Sequence, residues 1–200
     1  MRHFVLGVAT CIFSFPALAA LEPGAIAPDF KAKAAIAGKE FTFSLEEALQ
    51  SGPVVVYFYP AAFTGGCNIQ AHTFATNIGK FSMAGASIIG VSLDKISTLK
   101  KFSADPEYCG GKVPVASDPD GHIAKSYGLE VAAAKPGAKN TQGDEIGHGF
   151  AERTTFIVTQ DGKISALIGG VSPKENVEKA LESVQQIRAG ESPEAKPATG

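Results

Sequence analysis

None of the three cysteines in this 200-residue chain, Cys11, Cys67 and Cys109, has a second cysteine at C-x-x-C spacing. Position 70, where such a motif would need one after Cys67, holds Gln70, which excludes a thioredoxin-type disulfide exchanger. Zinc is excluded as well. A site of three or four ligands needs them at motif spacing, and scattered cysteines and histidines do not supply it. Charge of one sign is also scarce: 18 Lys and Arg against 20 Asp and Glu leave a formal net of −2. With no basic stripe, that balance argues against nucleic acid and anionic membrane as partners. No internal repeat and no second apolar core are visible, so the 200 residues, 44% of them hydrophobic, read as one domain with a real core.

The one long apolar stretch lies at the N-terminus. Met1-Arg2-His3 is a short positive segment, Phe4 to Phe15 is apolar, and Ala17-Leu18-Ala19 is an A-x-A cleavage sequence. The apolar run falls short of the roughly 20 residues that span a bilayer. Residues 1–19 therefore read as a signal peptide cleaved after Ala19, which predicts an exported, periplasmic or secreted protein with no membrane insertion after cleavage. Cys11 leaves with the signal. Cys67 and Cys109 then meet an oxidising compartment, where two thiols can pair.

Along the rest of the chain strands and helices alternate. A short strand region and a small turn of helix occupy "GAIAPDFKAKAAIAGKEFTFSLEEALQSG". Pro53 to Tyr59 is a continuous β-rich run that suits a buried central strand. From about Thr64 to Ser82, Ile69, Thr73, Phe74, Ile78 and Phe81 recur at helical spacing, with Cys67 in the first turn. "ASIIGVS" is a second buried strand, "DKISTLKKFSAD" a helix, "KVPVASD" a short strand, and "PDGHIAKSYGL" a turn and helix. "RTTFIVTQDGKISALIGG" places two strands around the hairpin signal Asp161-Gly162. Ser172, Pro173 and Glu175 open a final helix, which Gly190 ends. The Gly-, Ala- and Lys-rich stretch from Glu130 to Glu152 reads as an inserted surface loop, and the Pro-, Ala- and Glu-rich residues 191–200 as a disordered tail. The fold class is α/β, a mixed central sheet flanked by helices, over residues 20–190.

Cys67 is the residue that carries chemistry. At a helix start after Gly65-Gly66, backbone N–H groups of the first turn point toward its sulfur and the helix dipole favours negative charge there. Both favour the thiolate, which is the nucleophile. The alternative is an inert buried cysteine. A cysteine hydrolase would need a histidine base, but His72, His122 and His148 lie in no recognisable hydrolase context. Peroxide remains as the electrophile.

Pro60-Ala61-Ala62-Phe63-Thr64-Gly65-Gly66-Cys67 matches P-x-x-x-T-x-x-C, the active-site signature of the peroxiredoxins. "GAIAPDF", "VSLD", "ASDPDGHIAKSYGL" and "RTTFIVTQDGKI" extend the likeness over nearly the whole mature chain. The nearest likeness is the PrxQ, or bacterioferritin-comigratory-protein, branch. This resemblance implies a thioredoxin-like fold, a monomer, and a thiol peroxidase that needs no cofactor or metal. It implies peroxide as substrate and a thioredoxin-like or other thiol as reductant. Cys67 would be the peroxidatic cysteine, Thr64 a hydroxyl hydrogen-bonding peroxide and thiolate, and Arg153 a charged fork holding sulfur and oxygen. Pro60 would fix the turn and screen the sulfur. Taken singly, Pro60 is an ordinary strand terminator, Thr64 an ordinary N-cap, and Arg153 a partner for Glu152.

The chain departs from the family at two places. Relatives of this branch often carry a resolving cysteine five residues after the first, and here that place holds His72. Cys109, in "DPEYCGGK", is the remaining resolving candidate, with Gly110 and Gly111 to let its loop move; the alternatives are a free surface thiol or a permanent bridge. Gln70 stands where many relatives have an acid. A one-cysteine peroxidase and a redox sensor without turnover stay open as alternatives.

Overall fold

The computed structural model describes residues 20–190, so the expected signal peptide and C-terminal tail lie outside the described residues. A seven-stranded mixed sheet runs through them in the order β2-β1-β5-β4-β3-β8-β9. The strands are β1 (Lys31–Ile36), β2 (Lys39–Ser44), β3 (Val54–Phe58), β4 (Ser87–Ser92), β5 (Val115–Ser117), β8 (Thr154–Val158) and β9 (Ile164–Gly169). A separate ladder pairs β6 (Val131–Ala132) with β7 (Phe150–Ala151). The helices are α1 (Leu45–Leu49), α2 (Gly65–Met83), α3 (Ile96–Ala104), α4 (His122–Ser126) and α5 (Pro173–Ala189).

β3 decides the layering. It runs parallel to β4 and antiparallel to β8, and every one of its residues is buried. A strand turns successive side chains to opposite faces, so Val55 and Tyr57 enter one core with Phe74 and Phe81 of α2, Leu99 and Phe102 of α3, and Val177 and Val184 of α5. Val54, Val56 and Phe58 enter the other core, with Leu45, Ala124, Tyr127 and Phe156. Covering both faces explains the unbroken apolar run.

Most expected elements stand where the pattern puts them. The β8–β9 hairpin turns at Asp161-Gly162, with Gly162 at φ 77° and its N–H donating to the Thr159 carbonyl. Ser172 caps α5 by accepting from the Glu175 N–H at 3.3 Å, and Gly190 ends it at φ 77°. Three details differ. The first strand region is a hairpin of two strands, turned by Ala37 and Gly38 at φ 50° and 77°; an alanine in the left-handed region carries no turn signal. On α2, Ile69 is 53% exposed, and the buried face is made by Cys67, Gln70, Ala71, Phe74, Ala75 and Phe81. The stretch 130–152 is more than a surface loop, because its ends pair as β6 and β7 and Lys139 bridges to Glu145.

Gly90 of β4 faces the ring of Tyr57, and a Cβ there would lie 2.5 Å from Tyr57 Cζ. Gly90→Ala is therefore expected to lower unfolding free energy by about 1–3 kcal/mol, the usual cost of overpacking a core, read by urea denaturation.

Candidate active site

The chain leaves the sheet at Tyr59, whose N–H still donates to Val91 O at 3.1 Å. Pro60 has no N–H to continue the ladder and stands half-buried at the exit. The next turn is held from several sides. Ala62 N–H donates to Asp94 Oδ2 at 2.8 Å, and the Thr64 hydroxyl donates to Ala61 O at 2.8 Å. Phe63 adopts φ 58°, a left-handed conformation uncommon outside glycine. Its ring packs edge-on to Phe102 and Tyr108 at 5.1 and 5.7 Å.

α2 then begins at Gly65, making Cys67 its third residue, only 2% exposed. The N–H groups of that turn have no carbonyl partner inside the helix. Arg153, between β7 and β8, donates from Nη2 to Cys67 Sγ at 3.3 Å and from Nη1 to Gln70 Oε1. Gln70 is fully buried, and its Nε2 donates to Asn176 Oδ1 at 2.9 Å. Asn176 Oδ1 also accepts from Thr155 Oγ1 at 2.6 Å, while its Nδ2 donates to Ile168 O at 3.0 Å. A neutral polar chain thus anchors the guanidinium to α2, α5, β8 and β9. Gly66 is what admits Arg153: a Cβ there would lie 3.0 Å from Nη2 and 3.3 Å from Pro173 Cγ.

Cys67 and Arg153 are therefore brought together, and the pairing of Arg153 with Glu152 is not what the structure uses. Thr64 occupies the N-cap position without a side-chain cap bond, and its hydroxyl proton is turned to Ala61 O. The oxygen's lone pairs remain for accepting. Cys109 is a free, fully buried thiol in the same core as Cys67, neither a surface thiol nor a permanent bridge. Burial pushes its thiol well above the ordinary cysteine range, and Asp105 adds to the effect. Burial likewise raises the Tyr57 phenol far above its usual value, with Cys109 and Cys67 adding in the same direction. Gly110 and Gly111, at φ 59° and 68°, close the Cys109 loop onto α3 through Asp105 O and Ser103 O. His72 Nδ1 lies 2.9 Å from Glu107 O and fastens that loop to α2. Sequence reasoning misses Asn176; its one signal is a polar residue beside Val177 on the apolar stripe of α5.

A buried sulfur at a helix start, facing an arginine on a two-cored α/β sandwich, is the arrangement on which the comparisons with known proteins bear. Residues 23–167 match the model of the AhpC/TSA family. The chain is 32% identical over 167 residues to the bcp protein of Helicobacter pylori strain J99, a peroxiredoxin by name, covering 82% of this chain and 98% of that one. A Mycobacterium tuberculosis protein bearing the same family name is 40% identical over 111 residues, a match that takes in 56% of this chain and 64% of the relative's length. Among solved structures, peroxidoxin BcpB of Mycobacterium tuberculosis superposes with a TM-score of 0.69 at 28% identity, over 84% of this chain and 98% of that one. The chain belongs to the AhpC/TSA family and is a peroxiredoxin of the PrxQ and bacterioferritin-comigratory-protein kind, with the thioredoxin-like fold that this implies.

Replacing Asn176 by leucine would strand Gln70 Nε2, Thr155 Oγ1 and Ile168 O in the core. Asn176→Leu is expected to cost about 3 kcal/mol, since buried polar groups left without partners lose on the order of 1–3 kcal/mol each, with partial relaxation; thermal unfolding checks it.

Proposed function

We propose that this peroxiredoxin reduces hydrogen peroxide or organic hydroperoxides at Cys67. The observation that carries the reading is the 3.3 Å contact from Arg153 Nη2 to Cys67 Sγ at the third residue of α2. The thiolate attacks one peroxide oxygen and the O–O bond breaks. The leaving oxygen takes a proton and departs as water or alcohol, and the sulfur becomes a sulfenic acid. Negative charge moves from sulfur to the leaving oxygen, so a fixed guanidinium and the first-turn N–H groups stabilise the transition state more than the ground state. Thr64, whose hydroxyl proton is held by Ala61 O, contributes acceptor lone pairs that orient the peroxide proton.

Cys109 is the proposed resolving cysteine. Its thiol sulfur attacks the sulfenic sulfur, water leaves, and a Cys67–Cys109 disulfide forms; two electrons from an external thiol restore both. A disulfide needs Cα atoms within roughly 7 Å, and a buried neutral thiol is a poor nucleophile. In this reading the Asp105–Gly111 loop must therefore release His72 and open. The N-terminal pattern supports export, with a periplasmic or secreted thiol donor, and the protein acts as a monomer. A one-cysteine cycle is the second reading, favoured by the deep burial of Cys109.

Intact mass after one equivalent of hydrogen peroxide separates them. Loss of both thiols within a monomer supports resolution by Cys109; a sulfenic acid on Cys67 with Cys109 free supports the one-cysteine cycle. Unreactive Cys67 would sink both. Cys67→Ser should abolish peroxide consumption. Arg153→Lys, which loses the fork but keeps the charge, should lower the rate of Cys67 oxidation about a hundredfold, comparable to removing one transition-state donor.

A further inference from the structure

The stretch 130–152, which the family signature does not explain, is bonded to the turn that carries the site. Thr141 donates twice to Phe63 O, from its backbone N–H at 2.7 Å and from its hydroxyl at 2.8 Å. Asn68, one residue after Cys67, reaches Thr141 Oγ1 from Nδ2 at 3.5 Å. Further along the same stretch, His148 Nε2 lies 3.1 Å from Asp94 Oδ1. The other oxygen of Asp94 accepts from Ala62 N–H and from Ser92 Oγ, both at 2.8 Å. Asp94 is nearly buried, so a carboxylate there needs its partners. Phe63 directly, and Ala62 through Asp94, are therefore held by two residues of this one segment.

The segment can act as a restraint because it is itself tied down. β6 and β7 pair at its ends, and Asn140 Oδ1 accepts from the N–H groups of Gln142 and Asp144 at 2.9 Å each. Phe63 at φ 58° is the position that most needs holding, since a non-glycine residue relaxes from that conformation when its restraints go. Relaxation would shift the start of α2 and hence the sulfur.

We propose that Thr141 and His148 are positioning residues for the Cys67 reaction, forming a strap that keeps the Ala61–Thr64 turn closed over the sulfur. This rests on the peroxidase reading for its chemistry but not for its geometry. Neither residue touches the reacting atoms; both act through Phe63 and Asp94.

His148 makes the strap sensitive to pH. Its Nδ1 meets the Gly149 carbonyl at 2.7 Å and its Nε2 meets a carboxylate. Both partners only accept, so both bonds form together only in the protonated ring. Partial burial by itself lowers the His148 pKa; the bonds to Asp94 and Gly149 and the charge of Asp94 outweigh it against the opposing Lys95, and the net shift is upward. Phe150 faces the ring without charge, and Tyr59, neutral through burial, lies on the Asp94 side. A raised folded pKa means the clamp is whole below the ordinary histidine value of about 6.5 and is lost as pH rises through the folded value.

The test uses the full protein, following Cys67 by mass spectrometry. Two rates are measured: oxidation by hydrogen peroxide and alkylation by N-ethylmaleimide. In Thr141→Val/His148→Ala with retained far-UV circular dichroism, oxidation should slow and alkylation should quicken, each on the order of tenfold, since small misplacements of reacting groups cost that much or more. Thr141→Ser should restore the Thr141 share of both. The alkylation rates of wild type and His148→Ala should converge at high pH, where wild-type His148 is deprotonated and loses the clamp that the variant lacks at every pH. Unchanged rates, or two rates that move in the same direction, overturn the strap. If the double variant does not fold, Thr141→Val and His148→Gln carry the same two-rate comparison. A wild-type Cys67 that peroxide leaves untouched would sink the peroxidase reading alone, with the alkylation arm still deciding the strap.

Discussion

The structure around Cys67 depends on one constraint: a guanidinium has to reach a nearly buried sulfur without filling the space in which that sulfur reacts. Gly66 makes the approach possible by leaving out a Cβ that would lie 3.0 Å from Arg153 Nη2. Gln70 then takes the other arm of the fork. Because α2 supplies Cys67, Gly66 and Gln70 within five positions, one helix sets both the sulfur and the pose of its cation. The surrounding fold serves that helix. β3 aims it, the two cores grip the sheet beneath it, and α5 brings Asn176 to its buried face.

Much of this was legible in the sequence, for identifiable reasons. The run Val54–Phe58 announces a strand covered on both faces because every residue in it is apolar. Ser172, Pro173, Glu175 and Gly190 mark α5 because caps and breakers act locally. The motif from Pro60 to Cys67 identifies the site turn because its residue types are ordered as well as present. What stayed hidden is non-local. Asn176 meets Gln70 across 106 positions, and Thr141 meets Phe63 across 78. Neither pair leaves a periodicity or a spacing that a single chain displays. Ile69 shows the opposite failure, an apolar residue at helical spacing that ends up facing solvent.

The Thr64 hydroxyl closes its own turn on Ala61 O, so the threonine shapes the loop. His72, to which the sequence assigns no role, ties the Cys109 loop to α2. Cys109 shares a core with Phe63 and Phe102, and both rings pack on Tyr108 beside it, so the peroxidatic turn and the Cys109 loop have packing partners in common.

The neutrality of the chain from Gln70 to Asn176 has a consequence for the oxidised state. Gln70 places a neutral amide, not a carboxylate, on the other arm of the guanidinium, and in the proposed cycle a thiolate beside that cation would make the pair electrically balanced. Once the sulfur holds oxygen as a neutral sulfenic acid, that balance is gone and a half-enclosed positive charge is left over. A site in that condition would draw anions, and a thiolate is the anion that could use it, from Cys109 once its loop opens or, in the one-cysteine reading, from an external donor. Oxidation at Cys67 would itself turn Arg153 from a stabiliser of the protein's own sulfur into an attractor for an incoming one.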